Sequence, residues 1–381
     1  MQTAKILFIL TLFIILWPYT IYPLILSVNS LFKKLNLKKD PQYLPLVSVI
    51  IAAHNEEASI REKINNTLSL NYPKDKLEII VASDYSTDKT IEIVKSFQNS
   101  QISVVEITQR KGKTFAQNKA IEKAQGEIVL FSDATTIYDK NSLKTLIENF
   151  ADSKVGCVGG NLIYVENTND INTGSKRYWD MEKLIKRLES KTGFLFGLSG
   201  CMYAARKELC QELKPNIMED LGRPLVIASL GYINLFEPKA LCWEKVNTSY
   251  KSEINMRQRV IARTIHTFFQ LKALLNPFKY PKIFFAVISH KIIRYLYPLL
   301  FTLLLIISAL NINEIYAQIT MVCFIYSVIC FLTLKSLPEQ KLKFPLFITM
   351  SYYLILTNVS ILRALGDIFK KNNTTYWQPT R

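Results

Sequence analysis

The sequence predicts an α/β domain with a mostly parallel central sheet, carried between transmembrane helices at both ends. Three observations lead there. Short apolar runs at 47–53, 77–82, 102–107 and 127–131 alternate with helix-like stretches, and strand alternating with helix implies right-handed crossovers and a parallel sheet. Residues 6–28 carry no charge, and further uncharged apolar stretches lie at 295–310, 315–334 and 344–362; about 20 apolar residues are enough to span a bilayer. The net charge of +16 collects beside those stretches.

Taken in order, residues 6–28 read as a retained anchor. A cleaved signal peptide would have a shorter apolar core and a small-residue cleavage site, and neither is evident. Lys33, Lys34, Lys38 and Lys39 follow it, and nine basic residues with one acid, Glu253, lie between 251 and 294. Basic flanks mark the cytoplasmic side, so the soluble part is expected in the cytoplasm. Anionic lipid accounts for this charge beside membrane segments, and no nucleic-acid partner is called for. One span before the domain and three after it would put the carboxyl terminus outside, against Arg363, Lys370, Lys371 and Arg381 near that end. The stretch 283–295, with His290, Lys291 and Arg294 among apolar residues, reads as an interfacial helix. The expected division is a membrane anchor over 1–39, the α/β domain over 40–280, and an interfacial helix with a membrane cluster over 281–381.

Within the domain, the apolar runs suit strands buried on both faces. Helices are expected at 57–70, from a cap at Thr87 or Asp88 to about Phe97, and at 114–124. The second half is less regular: a strand at 155–165, amphipathic helices at 175–190 and 257–275, a glycine-rich segment at 193–206, and a helix at 219–229. The six cysteines form no C-x-x-C pair, and with three histidines no zinc site is suggested. They read as small buried apolar residues, reduced in a cytoplasmic domain.

Four short segments carry the chemistry: Val-Ser-Val-Ile-Ile-Ala-Ala-His-Asn-Glu-Glu at 47–57, Ala-Ser-Asp-Tyr-Ser-Thr-Asp at 82–88, Phe-Ser-Asp-Ala-Thr at 131–135 and Met-Glu-Asp at 218–220. Three of them place an acid just beyond an apolar strand-like run. Ligands of an open parallel sheet bind at the carboxyl ends of its strands. Acids gathered there suit a diphosphate held through a metal ion, together with a general base.

In order and spacing these segments resemble the family-2 glycosyltransferases, the group that includes cellulose, hyaluronan and poly-N-acetylglucosamine synthases, over roughly residues 45–265. The resemblance implies a GT-A, Rossmann-like nucleotide-sugar-binding domain. It implies that the turn with Ala53, Asn55 and Glu56 lies against uracil and ribose, although Asn-Glu-Glu also reads as a helix amino terminus. Asp84 aligns with the acid that holds uracil, although Ser83 and Tyr85 depart from the family pattern; an Asx-type turn with a helix cap at Asp88 is the alternative. Asp133 takes the metal position, where many members have Asp-x-Asp; here Thr135 replaces the second acid, and a hydroxyl, water or diphosphate oxygen would have to complete the shell. Lys113 aligns with a diphosphate contact, or is a solvated surface lysine.

The acidic pair Glu219-Asp220 matches the family's catalytic acids, with Asp220 as the base and Glu219 next in line; two capping acids are the alternative. Arg259 and Arg263, four apart on one helix face, stand where processive synthases have Gln-x-x-Arg-Trp. The tryptophan is missing, which leaves the register open and weakens a processive reading. Gly200 and Tyr203 fall in the family's acceptor-side loop, where a tight turn is also possible. The expected function is inverting transfer of a sugar from a nucleotide-sugar donor, UDP-linked, to a polysaccharide or lipid-linked glycan at a bacterial-type cell membrane, with Mg²⁺ or Mn²⁺ as cofactor and membrane lipids as further partners. Transfer to polyprenyl phosphate, or a non-catalytic membrane scaffold that kept the fold, are the alternatives.

Overall fold

An apolar helix pair leads the described part of the chain. In the computed structural model, which describes residues 2–32, 35–165, 173–245, 250–336 and 345–370, α1 (Gln2–Leu16) passes through a π-helical turn containing Pro18 into α2 (Tyr22–Phe32). The α/β part follows as β1 (Val47–Ala53), α3 (Ile60–Leu68), β2 (Leu77–Asp84), α4 (Thr90–Lys95), β3 (Ile102–Ile107), α5 (Lys113–Lys123), β4 (Ile128–Asp133), β5 (Ile137–Tyr138), α6 (Ser142–Ile147) and β6 (Val155–Val165). Then come α7 (Thr173–Thr192), β7 (Met202–Arg206), α8 (Glu219–Ser229), β8 (Ile233–Lys245) and α9 (Tyr250–Gln270). The chain continues as α10 (Pro281–Val287), the single turn α11 (Ile293–Tyr295), α12 (Tyr297–Leu310), α13 (Ile315–Ser336) and α14 (Leu346–Phe369).

The eight strands form one sheet in the order β3-β2-β1-β4-β7-β6-β8-β5. β3, β2, β1 and β4 are parallel, as are β6 and β8; β4–β7, β6–β7 and β5–β8 are antiparallel. Every residue of β1 is buried, as its unbroken apolar run requires of a strand covered on both faces. Val49 and Ile51 face one core with Ile60, Ile64, Leu143 and Leu146, while Ile50 faces the other with Ala116, Ala120 and Ile227. That alternation is the period-2 geometry of a strand. Truncating Ile50 to Ala would cost about 2–5 kcal/mol.

The apolar helices at both ends pack against this domain. Tyr22 and Leu26 of α2 pack on Ile185 and Leu188 of α7. Ile261 and Ala262 of α9 pack on Ile361 and Ala364 of α14, and Ile254 packs on Leu356. Among the described residues, three helices are long and apolar enough to cross a membrane: Gln2–Phe32, Ile315–Lys335 and Phe347–Phe369. A fourth candidate is a pair, Pro281–Tyr295 and Tyr297–Leu310, bent by 60° at the break. The last helix continues past Leu362, through Arg363 and Asp367, and Asp367 accepts a hydrogen bond from Gln258 of α9. Lys33, Lys34, Lys371 and Arg381 lie outside the described residues.

Candidate functional site

The site forms where β1, β2 and β4 end and α5 and α8 begin. Strand register sets it: Ala53 lies beside Ser83, and Ala52 beside Asp133. Asp84 and Asp133 therefore emerge at the same sheet edge, on strands flanking β1. Two groups of side chains assemble there.

The first group stitches the β1 and β2 loops together. Ala53 is buried at the strand end. Asn55 takes a positive φ of 54°, and its Oδ1 accepts from the Thr87 amide at 2.8 Å. The Glu56 amide donates to Thr90 Oγ1 at 2.8 Å, and the Glu56 carboxylate accepts from Ser59 Oγ at 2.7 Å. His54 Nδ1 lies 2.7 Å from the Asp84 carbonyl. Both Asp84 carboxylate oxygens accept backbone N–H bonds, from Lys111 at 2.8 Å and Gly112 at 2.9 Å. Asp84 thus shapes the turn that launches α5. Gly112 sits at φ 92°, a conformation that glycine adopts without a Cβ penalty.

The second group is charged and buried. Lys113, the first residue of α5, is 7 % exposed. Its ammonium lies 2.6 Å from Asp133 Oδ1 and 2.8 Å from Glu219 Oε1. Burial alone would pull its pKa down, but Asp133, Glu219 and Asp220 hold it well above the usual lysine range. A solvated surface lysine is excluded. Arg263, also buried, reaches Glu219 Oε2 at 3.4 Å. Arg259 lies one turn earlier and is half-buried; burial, then the Arg263 charge, lower its pKa.

α8 opens with Glu219 and Asp220, and their environments push them apart. Burial would raise the Glu219 pKa, but Lys113 and Arg263 bring it to about 2. Burial, then the Glu219 charge, raise the Asp220 pKa to about 6. Asp220 Oδ2 accepts from the Gly200 amide at 2.9 Å, whereas its buried Oδ1 has no hydrogen-bond partner among the described residues. Gly200 is a close-approach glycine: a Cβ there would stand 3.1 Å from Lys113 Nζ and 3.3 Å from Asp220 Oδ2. Two carboxylates, one fixed as an anion between cations and one near neutrality with a bare oxygen, can divide the work of charge placement and proton acceptance.

Tyr203 is the departure from expectation. It is fully buried in β7, stacked on Phe131 with ring centroids 4.6 Å apart. β7 is covered on both faces, so Tyr203 belongs to the core and is not presented to an acceptor.

Sequence reasoning missed Glu244 and set Cys201 aside as structural. The ligand atoms of Asp133, Cys201 and Glu244 lie within 4.8 Å of one another. The two carboxylates supply oxygen donors of the kind a hard divalent cation takes, so their chemistry fits the metal that the family resemblance implies. An acid closing an apolar strand was the available signal for Glu244, but nothing local relates it to Asp133.

Residues 48–214 match the family model described as glycosyl transferase family 2. Residues 48–214 are a family-2 glycosyltransferase domain by this match. Among curated relatives, the poly-β-1,6-N-acetyl-D-glucosamine synthase of Staphylococcus epidermidis is 28% identical over 251 residues, covering 63% of this chain and 60% of that protein. The synthase of the same name from Staphylococcus aureus strain COL is 31% identical over 222 residues, covering 56% and 53%. A probable glycosyltransferase of Bacillus subtilis is 28% identical over 257 residues, covering 62% and 60%. This chain thus spans about 60% or less of the length of these relatives. Among solved structures, the mannosyltransferase PcManGT from Pyrobaculum calidifontis, in complex with GDP-Man and Mn²⁺, superposes with a TM-score of 0.73 over 96% of this chain and 99% of its own, at 22% identity. That likeness establishes the GT-A fold.

Proposed function

We propose that this glycosyltransferase moves a sugar, with inversion, from a UDP-linked donor to a hydroxyl of a polysaccharide or lipid-linked glycan at the cytoplasmic face of the membrane. The observation that carries the reading is the split acidic pair. Asp220, with a pKa near 6 and a bare buried oxygen, is poised as a general base near neutral pH. As the acceptor oxygen bonds to the anomeric carbon, Asp220 Oδ1 takes its proton. The bond from that carbon to the phosphate oxygen breaks on the opposite face, and the nucleoside diphosphate leaves.

Lys113 and Arg263 stand beside the acids as fixed positive charge for the departing diphosphate. Ala53, Asn55, Glu56 and Asp84 form the wall for the nucleoside, and Arg259 extends the basic face. Gly200 lines the acceptor side next to the base. A divalent cation, Mg²⁺ or Mn²⁺, would neutralise diphosphate charge, and Asp133 would hold it. The packing of α9 on α14 seats this machinery on a membrane helix, which suits an acceptor that is itself held at the membrane. The proposed division remains an anchor over 1–39, the transferase over 40–280 and a membrane cluster over 281–381.

The test is donor turnover by the purified full chain with membrane extract. The staphylococcal relatives are named for poly-β-1,6-N-acetyl-D-glucosamine, which makes UDP-N-acetylglucosamine the first donor to try. The Pyrobaculum complex makes GDP-mannose the second. Product configuration by NMR reports inversion, and transfer to added polyprenyl phosphate would reassign the acceptor. Thorough chelation should stop turnover, and added Mn²⁺ or Mg²⁺ should restore it. Nucleotide release from no donor would return the protein to a scaffold role.

A further inference from the structure

We infer that Glu244, from a strand far along the chain, supplies the carboxylate that the metal site lacks at position 135. The inference rests on the proposed metal-dependent reading and deepens it. Asp-x-Asp motifs place two acids on one strand end, and here the second position is Thr135. Its hydroxyl donates to Glu244 Oε1 at 3.2 Å. The position that should hold an acid therefore holds another residue's acid by a hydrogen bond. The pairing of Ile137 with Trp243 and Tyr138 with Cys242, between β5 and β8, carries Glu244 to that place.

Charge and geometry agree. Cys201 Sγ donates to Glu244 Oε2 at 3.0 Å, so both oxygens of Glu244 are aimed by neutral donors. Among the described residues Glu244 makes no ion pair, whereas Asp133 and Glu219 share Lys113. A half-buried carboxylate beside Asp133 without a cation of its own is electrostatically incomplete. A divalent ion between Asp133 and Glu244 completes it, with oxygen ligands of the kind hard cations take. Thr135 and Cys201 then act as positioning residues, as groups that hold metal-binding carboxylates commonly do.

Mn²⁺ binding to the full-length protein in detergent, with UDP present, tests this through the electron paramagnetic resonance signal of free Mn²⁺. Glu244→Gln should weaken binding by about 10–100-fold with thermal unfolding unchanged, and Asp133→Asn, which also takes a partner from the buried Lys113, should weaken it too. The double variant Thr135→Asp/Glu244→Gln, which puts the acid back at the motif position, should restore most of the affinity. Normal Mn²⁺ binding by Glu244→Gln alongside its loss in Asp133→Asn would overturn the role of Glu244 and leave the metal reading standing. Absence of Mn²⁺ binding in the unmodified protein would overturn both. Should Glu244→Gln fold poorly, the double variant and Glu244→Asp decide the matter by the same measurement.

Discussion

The backbone amide of Gly200 donates to Asp220 Oδ2 at 2.9 Å. The Leu198 amide binds the Asp220 carbonyl in the same approach, also at 2.9 Å. A glycine-rich loop that precedes the acidic pair by about 20 residues thus aims the proposed base. With one oxygen held by Gly200, the other is left bare. Lys113 and Arg263 meanwhile hold Glu219, so the two adjacent acids do different jobs.

Replacing Asp220 by Asn keeps the shape and removes the proton acceptor. General-base catalysis contributes roughly 10²–10⁴ in rate, so Asp220→Asn should transfer sugar at least about a hundredfold more slowly while binding UDP normally. Glu219→Gln should be milder. Calorimetric UDP affinity and product analysis measure the two halves separately. Loss of both in Asp220→Asn would make the acid a structural cap, and retained transfer would move the base to Glu219.

The pH profile follows from the same pair. Asp220 must be ionised to accept a proton, and its pKa is about 6, so kcat/KM should fall below pH about 6, roughly tenfold per unit. Glu219→Gln removes a charge that raises the Asp220 pKa, so the acid limb should move to lower pH. Stability has the opposite sign. A carboxylate raised above its unfolded value near 3.8 favours the fold below that value and loses this contribution as pH rises through about 6. Asp220→Asn should therefore be at least as stable as the parent at pH 7, which separates a catalytic loss from an unfolding one. An unmoved acid limb in Glu219→Gln would detach the profile from this pair.

The parallel half of the sheet was readable because β1, β2 and β4 are buried along nearly their whole length and show as mostly apolar runs, and the edge strand β3, where only Val105 is buried, still shows its β-branched residues. β1 and β3 fall on the runs read at 47–53 and 102–107. In the other half β6 was read, at 155–165, but β7 and β8 were not. β8 contains Pro238 and four charged residues in Ile-Asn-Leu-Phe-Glu-Pro-Lys-Ala-Leu-Cys-Trp-Glu-Lys, and β7 hides behind a glycine-rich loop. The acids at 84, 133 and 219–220 were legible from their places at element ends. The partnership of Lys113 with Asp133 and Glu219 was not, because it depends on three elements meeting in space. Tyr203 misled because alignment with a loop motif carries no information about burial.

The junction between the domain and its membrane helices has a buried ionic knot. Glu182 of α7 pairs with Arg294, with His290 Nε2 at 3.2 Å and with Lys291 at 3.7 Å. Glu189 of the same helix takes His290 Nδ1 at 2.7 Å and the Tyr22 hydroxyl at 2.8 Å. Burial would raise the Glu182 pKa, but Arg294, Lys291 and His290 hold it well below the usual range. Removing one partner of a buried pair costs about 3–5 kcal/mol, so Glu182→Ala should unfold much earlier in detergent. A lowered carboxylate stabilises above its unfolded pKa and loses that contribution as pH falls through the folded one. The deficit of Glu182→Ala should therefore persist at neutral pH and shrink only in strong acid. A melting curve matching the parent at pH 7 would show the knot to be dispensable.

The last prediction concerns topology. α12 has 14 residues, about 21 Å of helix at 1.5 Å per residue, which is short of a hydrocarbon core of about 30 Å. It follows the 281–295 segment at a 60° bend. If this bent pair dips into the bilayer and returns, only three helices cross, and the carboxyl-terminal end lies on the same side as the domain. Basic residues then flank the membrane consistently: Lys38 and Lys39 before the domain, and Arg363 and Lys370 at the last helix. A cysteine introduced at Ser100, and separately one at Lys370, should both resist an impermeant thiol reagent in intact cells and react after permeabilisation. Cys323, which is exposed, is replaced by Ser in the background. Labelling of the Lys370 site alone would make the bent pair a full crossing, giving four spans. Labelling of both sites would place the domain outside and remove the cytoplasmic reading that the basic flanks support.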